Sequence, residues 1–397
     1  MTRVLLVCPE PLGHGQPAGI GIRFIEMANV LRADGHQVTL LSRDDTLTPE
    51  AIARATEEND VAVVQGHIAN ELFAHGKPLP TAVDLYDPFI VENLHYYSER
   101  GAEVFQHDHA TLMSSIARGD FFLCASDAQR LFYLGVMLAA GRLSPVSFES
   151  IDELIRIAPF GVQPARSAAP AHRGHDILFG AIYDWYDPIV AIDAVAIARR
   201  TIPDITLTFT KHPNPELTPQ GKAADAIEHV RRRGYHEFIR FEPWVAYDHR
   251  GEFFDRFALA LLTFGQSIET DLSMRTRVFD YLWGGLPVIS SSAPGTDEIL
   301  NRYEAGSVWP RASARDETLG AHIASVLRDD RALQSMREGA ARFVADHQWA
   351  KVLEPLTEFC RSPRFDKRKD AFAVRMQLPE RPPSILDRLK RRIGGAF

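Results

Sequence analysis

Arg277 and Asp280, three residues apart in the run LSMRTRVFDYLWGGLPVI (272–289), are of types and spacing suited to phosphate and hydroxyl chemistry. At 100° per residue, Ser273, Arg277 and Asp280 stack on one face, while Val278, Phe279, Leu282 and Trp283 take the other. Ser273 is a good N-cap, and no Gly or Pro intervenes before Gly284 and Gly285, so the spacing predicts a helix opening there. If the first amides, at Leu272, Ser273 and Met274, open into a cleft, they offer unpaired N–H groups and the positive dipole end to a diphosphate. Further along, a carboxylate accepts hydrogen bonds from a ribose diol. The plainer alternative is a solvated ion pair of Arg277 with Asp280, with Asp271 or Ser273 as a simple cap.

The surrounding elements decide whether such a cleft exists. Short apolar runs alternate with helical patterns along the chain, which predicts parallel sheets covered by helices. Strands are expected at 3–8, 37–41, 61–65, 81–85 and 121–124, with helices at 22–33, 49–58, 103–118 and 127–140. The first domain is expected to span 1–160, followed by a Pro/Ala-rich linker, 161–174. The alternation then restarts over 175–360, with strands at 176–180, 205–209, 238–241, 259–264 and 287–290. Both halves open with a strand and a Gly-containing loop, VLLVCPEPLGHG and DILFGAIYDWYDP. The expected architecture is therefore α/β: two Rossmann-like, doubly wound domains facing across a cleft, with ligands at the carboxyl ends of the strands.

Composition narrows the class. With 45% hydrophobic and 24% charged residues over 397 positions, the chain reads as an ordinary globular protein of more than one domain. Three scattered cysteines, Cys8, Cys124 and Cys360, form no disulfide framework or zinc motif, so a cytoplasmic setting is expected. No apolar run is long enough to span a membrane. The body is acidic, which argues against nucleic acid as a partner, whereas residues 361–397 carry 11 Lys/Arg against 4 Asp/Glu.

In their order along the chain, several pieces resemble the retaining GT-B glycosyltransferases of the family-four type. They are GHQVTLLSR (35–43), APFGV (158–162), FIRFEPWVAYDHRGEFFDRFALALLTF (238–264) and DYLWGGLPVISSSAPGTDEIL (280–300). The resemblance implies a metal-independent transfer of a sugar from a nucleotide-diphosphate sugar to a hydroxyl acceptor, with no tightly bound cofactor. It implies that Asp280, five residues before Gly285, binds the ribose hydroxyls. The family's other acid would fall at Leu272, so Asp271, favoured over Glu269, is its expected replacement beside the sugar. The usual basic pair after the first strand of the second domain is missing from FGAIYDWYDPIV. Arg275, Arg277 and Lys211 are the cations left for the diphosphate. Arg275 lies on the apolar side of the helical wheel and either snorkels over the core edge or reaches forward into the cleft. The loop Pro243, Trp244, Val245 resembles the one that meets the nucleobase through backbone groups.

In the first half, the resemblance points to an acid or histidine after the fourth strand, where the sequence reads AVDLYDPFIVENLHY. Asp87 precedes a proline and is either a turn cap or a site residue. Asp84 lies inside an apolar strand and needs a partner. One of the two is read as orienting the donor or acceptor sugar. His67 is a weaker candidate. His107-Asp108-His109 reads as a surface helix face, because i and i+2 do not face each other on a helix. The glycine loop at 11–23, with Gly15 at its centre, could bring a backbone amide to a phosphate or acceptor. The last residues, PSILDRLKRRIGGAF, read as a basic amphipathic helix that either packs back on the first domain or lies on an anionic membrane surface. A non-catalytic nucleotide-sugar-binding protein, or an epimerase or phosphorylase of the same fold, are the alternatives in function.

Overall fold

A computed structural model describes residues 1–12, 17, 19–44, 47–97, 101–166, 174–211, 220–311 and 317–371. The first sheet contains β1 (Arg3–Cys8), β2 (Gln37–Ser42), β3 (Val61–Gln65), β4 (Thr81–Asp84), β5 (Phe121–Cys124) and β6 (Ile155–Ile157). Its order is β2-β1-β3-β4-β5-β6 and every pairing is parallel. Parallel strands need crossover helices on the faces, and β1 shows the consequence: Val4 and Leu6 enter one core, Leu5 and Val7 another.

The second sheet contains β7 (Asp176–Ala181), β8 (Thr206–Thr210), β9 (Ile239–Glu242), β10 (Leu259–Leu262), β11 (Val288–Ser291) and β12 (Gly306–Trp309), in the order β12-β11-β10-β7-β8-β9, again parallel. The order reverses between β1 and β3 in one sheet and between β7 and β10 in the other. At such switch points, loops diverge to opposite faces and leave a crevice at the carboxyl ends. Local chemistry fixes the helix starts: Thr48, Ser126 and Asp187 accept from Ala51, Gln129 and Val190 N–H groups.

Asp84, inside apolar β4, has the partner its burial requires. Arg23, from the Gly19–Ala33 helix, donates to both its oxygens at 2.7 and 3.0 Å, and to the Ala158 and Pro159 carbonyls at 2.9 and 2.8 Å. Both side chains are completely buried. This corrects the reading of Asp84 as a sugar-orienting group: its acceptors are engaged in holding the first helix to the sheet.

The chain passes between the domains twice, side by side. Val162 N–H donates to the His347 carbonyl at 2.8 Å, and Trp349 N–H returns to the Val162 carbonyl at 3.4 Å. Gly161 lies flat against the Trp349 indole, where a Cβ would have no room. After the second crossing, Glu354–Arg361 packs on the first domain, with Phe359 stacked on Phe121 at 5.0 Å, ahead of the boundary expected at 361. Beyond it, Arg142 binds Asp366 at 2.8 Å with both side chains buried, and Lys369 reaches Asp120 at 3.0 Å. The basic amphipathic stretch expected at 384–393 lies outside the described residues. Among those described, no helix is long and apolar enough to cross a membrane.

Candidate functional site

The second domain builds its side of the crevice from β7 and the helix expected near 273. The register of β7 with β8 shifts between Leu178 and Gly180, so Phe179 drops out of the ladder. Gly180, at φ +84°, takes up the irregularity, as glycine does at bulges. The Phe179 carbonyl thereby becomes an acceptor for Tyr281 Oη at 2.8 Å and Arg277 Nη1 at 3.5 Å. A side chain on Gly180 would overlap the Tyr281 hydroxyl.

The helix itself differs from expectation. The segment forms two pieces, Ile268–Leu272, capped by Ser267, and Thr276–Trp283, with extended backbone at Ser273 and Arg275. Leu272, Ser273 and Met274 therefore are not the first amides of the second piece; Thr276 and Arg277 are. Three side-chain contacts, one of them the local Arg275–Glu269 pair, accompany the break. Ser273 Oγ donates to Glu92 of the first domain at 3.2 Å. Met274 packs its thioether against Gly295. Arg275 donates from Nη1 and Nη2 to Glu269 at 2.6 and 2.7 Å. Both members of that pair are almost fully buried, and the guanidinium lies 4.9 Å from the Phe264 ring centre. Arg275 thus does not reach forward as a cation for phosphate. A guanidinium withdrawn from water needs its carboxylate, and Glu269 supplies it.

Asp271 points to the surface, where it pairs with Arg311 at 2.7 Å. Neither acid is therefore placed as the preference for Asp271 over Glu269 expected: Asp271 is paired at the surface, and Glu269 is engaged by Arg275, although its charge is felt by Asp87 and Glu92.

One cavity gathers the remaining second-domain candidates. Thr276, Arg277, Asp280 and Tyr281 line it with Gly180 and Ala181 from the end of β7, and Trp244, Val245 and Tyr247 close one side. Pro17, Gly19 and Ile22 of the first domain and Phe160 from the crossing close the other. The Gly19–Ala33 helix starts here, and Thr276 Cγ2 lies 3.9 Å from where a Cβ on Gly19 would sit. Two helix starts therefore converge on one space, each with amides that lack intrahelical partners. Arg277 extends over the rings of Tyr183 and Tyr186, 4.9 and 4.7 Å from their centres. Lys211 is exposed at the end of β8, outside the cavity lining, and its N–H donates to the Glu242 carbonyl at 2.8 Å. Pro243 is exposed beside Trp244. Gly15 lies outside the described residues.

Asp280 does not pair with Arg277. Its partner is Arg250, whose Nε donates to it at 3.2 Å. Burial pushes the Asp280 carboxyl above the usual range, while Arg250 and, less strongly, Arg277 pull it back. Sequence reasoning missed Arg250. Its carboxylate lies thirty positions away, and nothing in YDHRGEFF marks it.

Across the crevice, Asp87 and Glu92 share a hydrogen bond. Burial, reinforced by the charges of Asp84 and Glu269 and opposed by the hydrogen bond from Glu92, raises Asp87 to about 6; Glu92 is pushed well above its ordinary value by burial and then by the charge and hydrogen bond of Asp87. Two carboxyls at hydrogen-bond distance hold one proton between them. Nearby, His67 bonds Asp108 at 2.9 Å and stacks on His107, with 4.8 Å between ring centres. His107 and His109 are exposed as expected, but Asp108 turns inward and accepts from Tyr97 and Asn93. Among the described residues, no group of three or more His, Cys, Asp or Glu is placed to hold a metal ion. All three cysteines are buried, with thiols pushed up to about 12, which leaves them poor nucleophiles.

Two parallel, doubly wound sheets facing across a cleft, with the chain returning to the first domain at its end, define the GT-B class of fold. No family model and no curated protein sequence matches the chain. Among solved structures, it resembles Anabaena HepE in complex with UDP and glucose, with a TM-score of 0.65 and 14% identity over 91% of this chain and 100% of that one. It also resembles WaaG, a glycosyltransferase involved in lipopolysaccharide biosynthesis, with a TM-score of 0.64 and 13% identity over 90% and 100%. A third likeness is to the pneumococcal O-GlcNAc transferase GtfA in complex with UDP and GlcNAc, with a TM-score of 0.54 and 13% identity. That match covers 76% of this chain but only 56% of GtfA. At these identities, the likeness establishes the fold.

Proposed function

We propose that the protein is a retaining glycosyltransferase that moves a sugar from a nucleotide-diphosphate sugar to a hydroxyl acceptor, without a metal. The observation carrying this reading is the cavity in which two helix starts, Gly19 and Thr276, converge beside Arg277, with the Asp280 carboxylate one turn further on. Amides at helix starts and a guanidinium suit a diphosphate, and the carboxylate suits a ribose diol. Trp244 and Val245 would flank the base. The Asp87–Glu92 pair, turned towards Glu269, would face the transferred sugar or its acceptor. Charge developing on the departing diphosphate would be stabilised by Arg277 and the helix starts, the kind of fixed electrostatics that lowers a barrier most. That several proteins of this fold were solved with UDP is in keeping with the reading.

A thermal-shift screen over nucleoside diphosphates, followed by incubation with labelled nucleotide sugars, tests it. A diphosphate that raises the melting point and a matching donor that is slowly hydrolysed or transferred are expected. Binding without turnover of any donor would move the reading to a nucleotide-sugar-binding protein. No binding at all would end it.

A further inference from the structure

The Arg250 guanidinium lies within a four-sided setting. Its Nε donates to Asp280 at 3.2 Å and its Nη1 to the Tyr247 carbonyl at 2.7 Å. Its Cζ lies over two rings, 3.5 Å from the centre of Tyr247 and 4.1 Å from that of Trp283. The side chain is only 9% exposed and lines the cavity together with Asp280. A planar fork held by two ring contacts and two hydrogen bonds has little freedom, so it fixes the direction in which its carboxylate partner points.

Both rings lead to the interdomain crossing. Trp283 Nε1 donates to the Pro164 carbonyl at 3.1 Å. Tyr247 shares a hydrogen bond with Gln163, and Gln163 Nε2 donates to Glu26 of the first domain at 2.6 Å. An unbroken series of contacts thus runs from Asp280, on the wall of the cavity, through Arg250 to two adjacent residues of the crossing.

We propose that Arg250 is a positioning residue for the nucleotide: it holds the Asp280 carboxylate ready for the ribose hydroxyls and joins it to the hinge at Gln163 and Pro164. This rests on the reading of Asp280 given above. The charged and titratable groups around Asp280 are Arg250 from the 250–254 helix, Arg277 and Tyr281 from its own helix, and Tyr247 from the preceding turn. Arg250 provides the strongest opposition to the burial that favours the protonated acid. Without it, Asp280 would accept hydroxyl donors well only after the pH had risen further.

The test is calorimetric titration of the full chain with UDP, GDP and ADP at pH 6, 7 and 8, for the unaltered protein and for R250Q, R250K and D280N. The unaltered protein should bind one of the three with nearly constant affinity across this range. R250Q should bind it at least tenfold more weakly at pH 6 and regain part of the loss by pH 8. R250K, which keeps the charge but not the planar fork, should be severalfold weaker with a flat profile, and it carries the test if R250Q does not fold. Unchanged affinity and a flat profile in the Arg250 variants, with D280N weakened, overturn this inference alone. Unchanged binding by D280N overturns the assignment of Asp280 to the ribose. Failure of the unaltered protein to bind any of the three overturns the reading of the cavity itself.

Discussion

Asp280 and Arg277 stand one turn apart on the same wall, yet they answer to different partners, so their removal should act on different kinetic constants. Asp280 faces Arg250 and the cavity. Asp280→Ala should raise the donor KM by about tenfold to a hundredfold, the usual cost of losing hydrogen bonds to a charged group. Arg277 rests on Tyr183 and Tyr186 and lines the same cavity as the helix starts. Arg277→Ala should lower kcat as well, by roughly a hundredfold, because a donor to developing charge acts chiefly in the transition state. Steady-state kinetics with the donor found by screening separates the two, and equal constants in both variants and the parent would remove them from the site. The Asp87–Glu92 pair makes a prediction about pH. Both carboxyls are raised, so their contribution to stability is whole below about pH 4, the ordinary carboxylate range, and is lost as the pH rises from there through the folded values, about 6 for Asp87. The melting temperature of the parent should therefore fall between about pH 4 and 7 by more than that of Glu92→Gln, whose amide gives Asp87 a permanent donor. Parallel melting curves for the two proteins would contradict this.

The Thr276–Trp283 helix owes its position to a strand irregularity. Gly180 lets the end of β7 turn, Phe179 leaves the ladder, and Tyr281 and Arg277 fasten to its carbonyl. Gly180→Val should leave the fold intact by circular dichroism but abolish nucleotide-induced thermal stabilisation, because the new side chain meets Tyr281 and strains a positive φ. This helix also illustrates what could be read from the residues alone. Asp280 was singled out by the family resemblance, counted back from Gly285, whereas the alternation of apolar runs placed β1, β3 and β5 at their observed limits. The break at 273–275 was invisible, because no local breaker causes it. It accompanies the contact with Glu92, 181 residues away, and the buried Arg275–Glu269 pair. Arg250 was missed for a similar reason: Asp280 and Trp283, thirty or more positions away, meet it only after folding. β12, GSVW, was passed over as well, since four half-buried residues carry no periodic signal.

At the level of the whole chain, the segment that follows the second crossing ties the second domain back to the first. Asp366 reaches back from the end of the described chain into the first domain, where Arg142 meets it with both groups buried. Asp366→Ala leaves an uncompensated buried guanidinium, which typically costs about 3–5 kcal/mol. The expected result is a lower melting point and earlier proteolytic release of the segment beyond 346; unchanged proteolysis would mean the contact is dispensable. The double crossing has a mechanical consequence. A single connecting strand would let one lobe swivel freely upon the other. Two neighbouring strands laced by the Val162 and Trp349 amides act instead like a door hung on two pins, confined to one axis of swing. Any opening of the lobes is then expected to retrace one arc and return Gly19 and Thr276 to the same alignment.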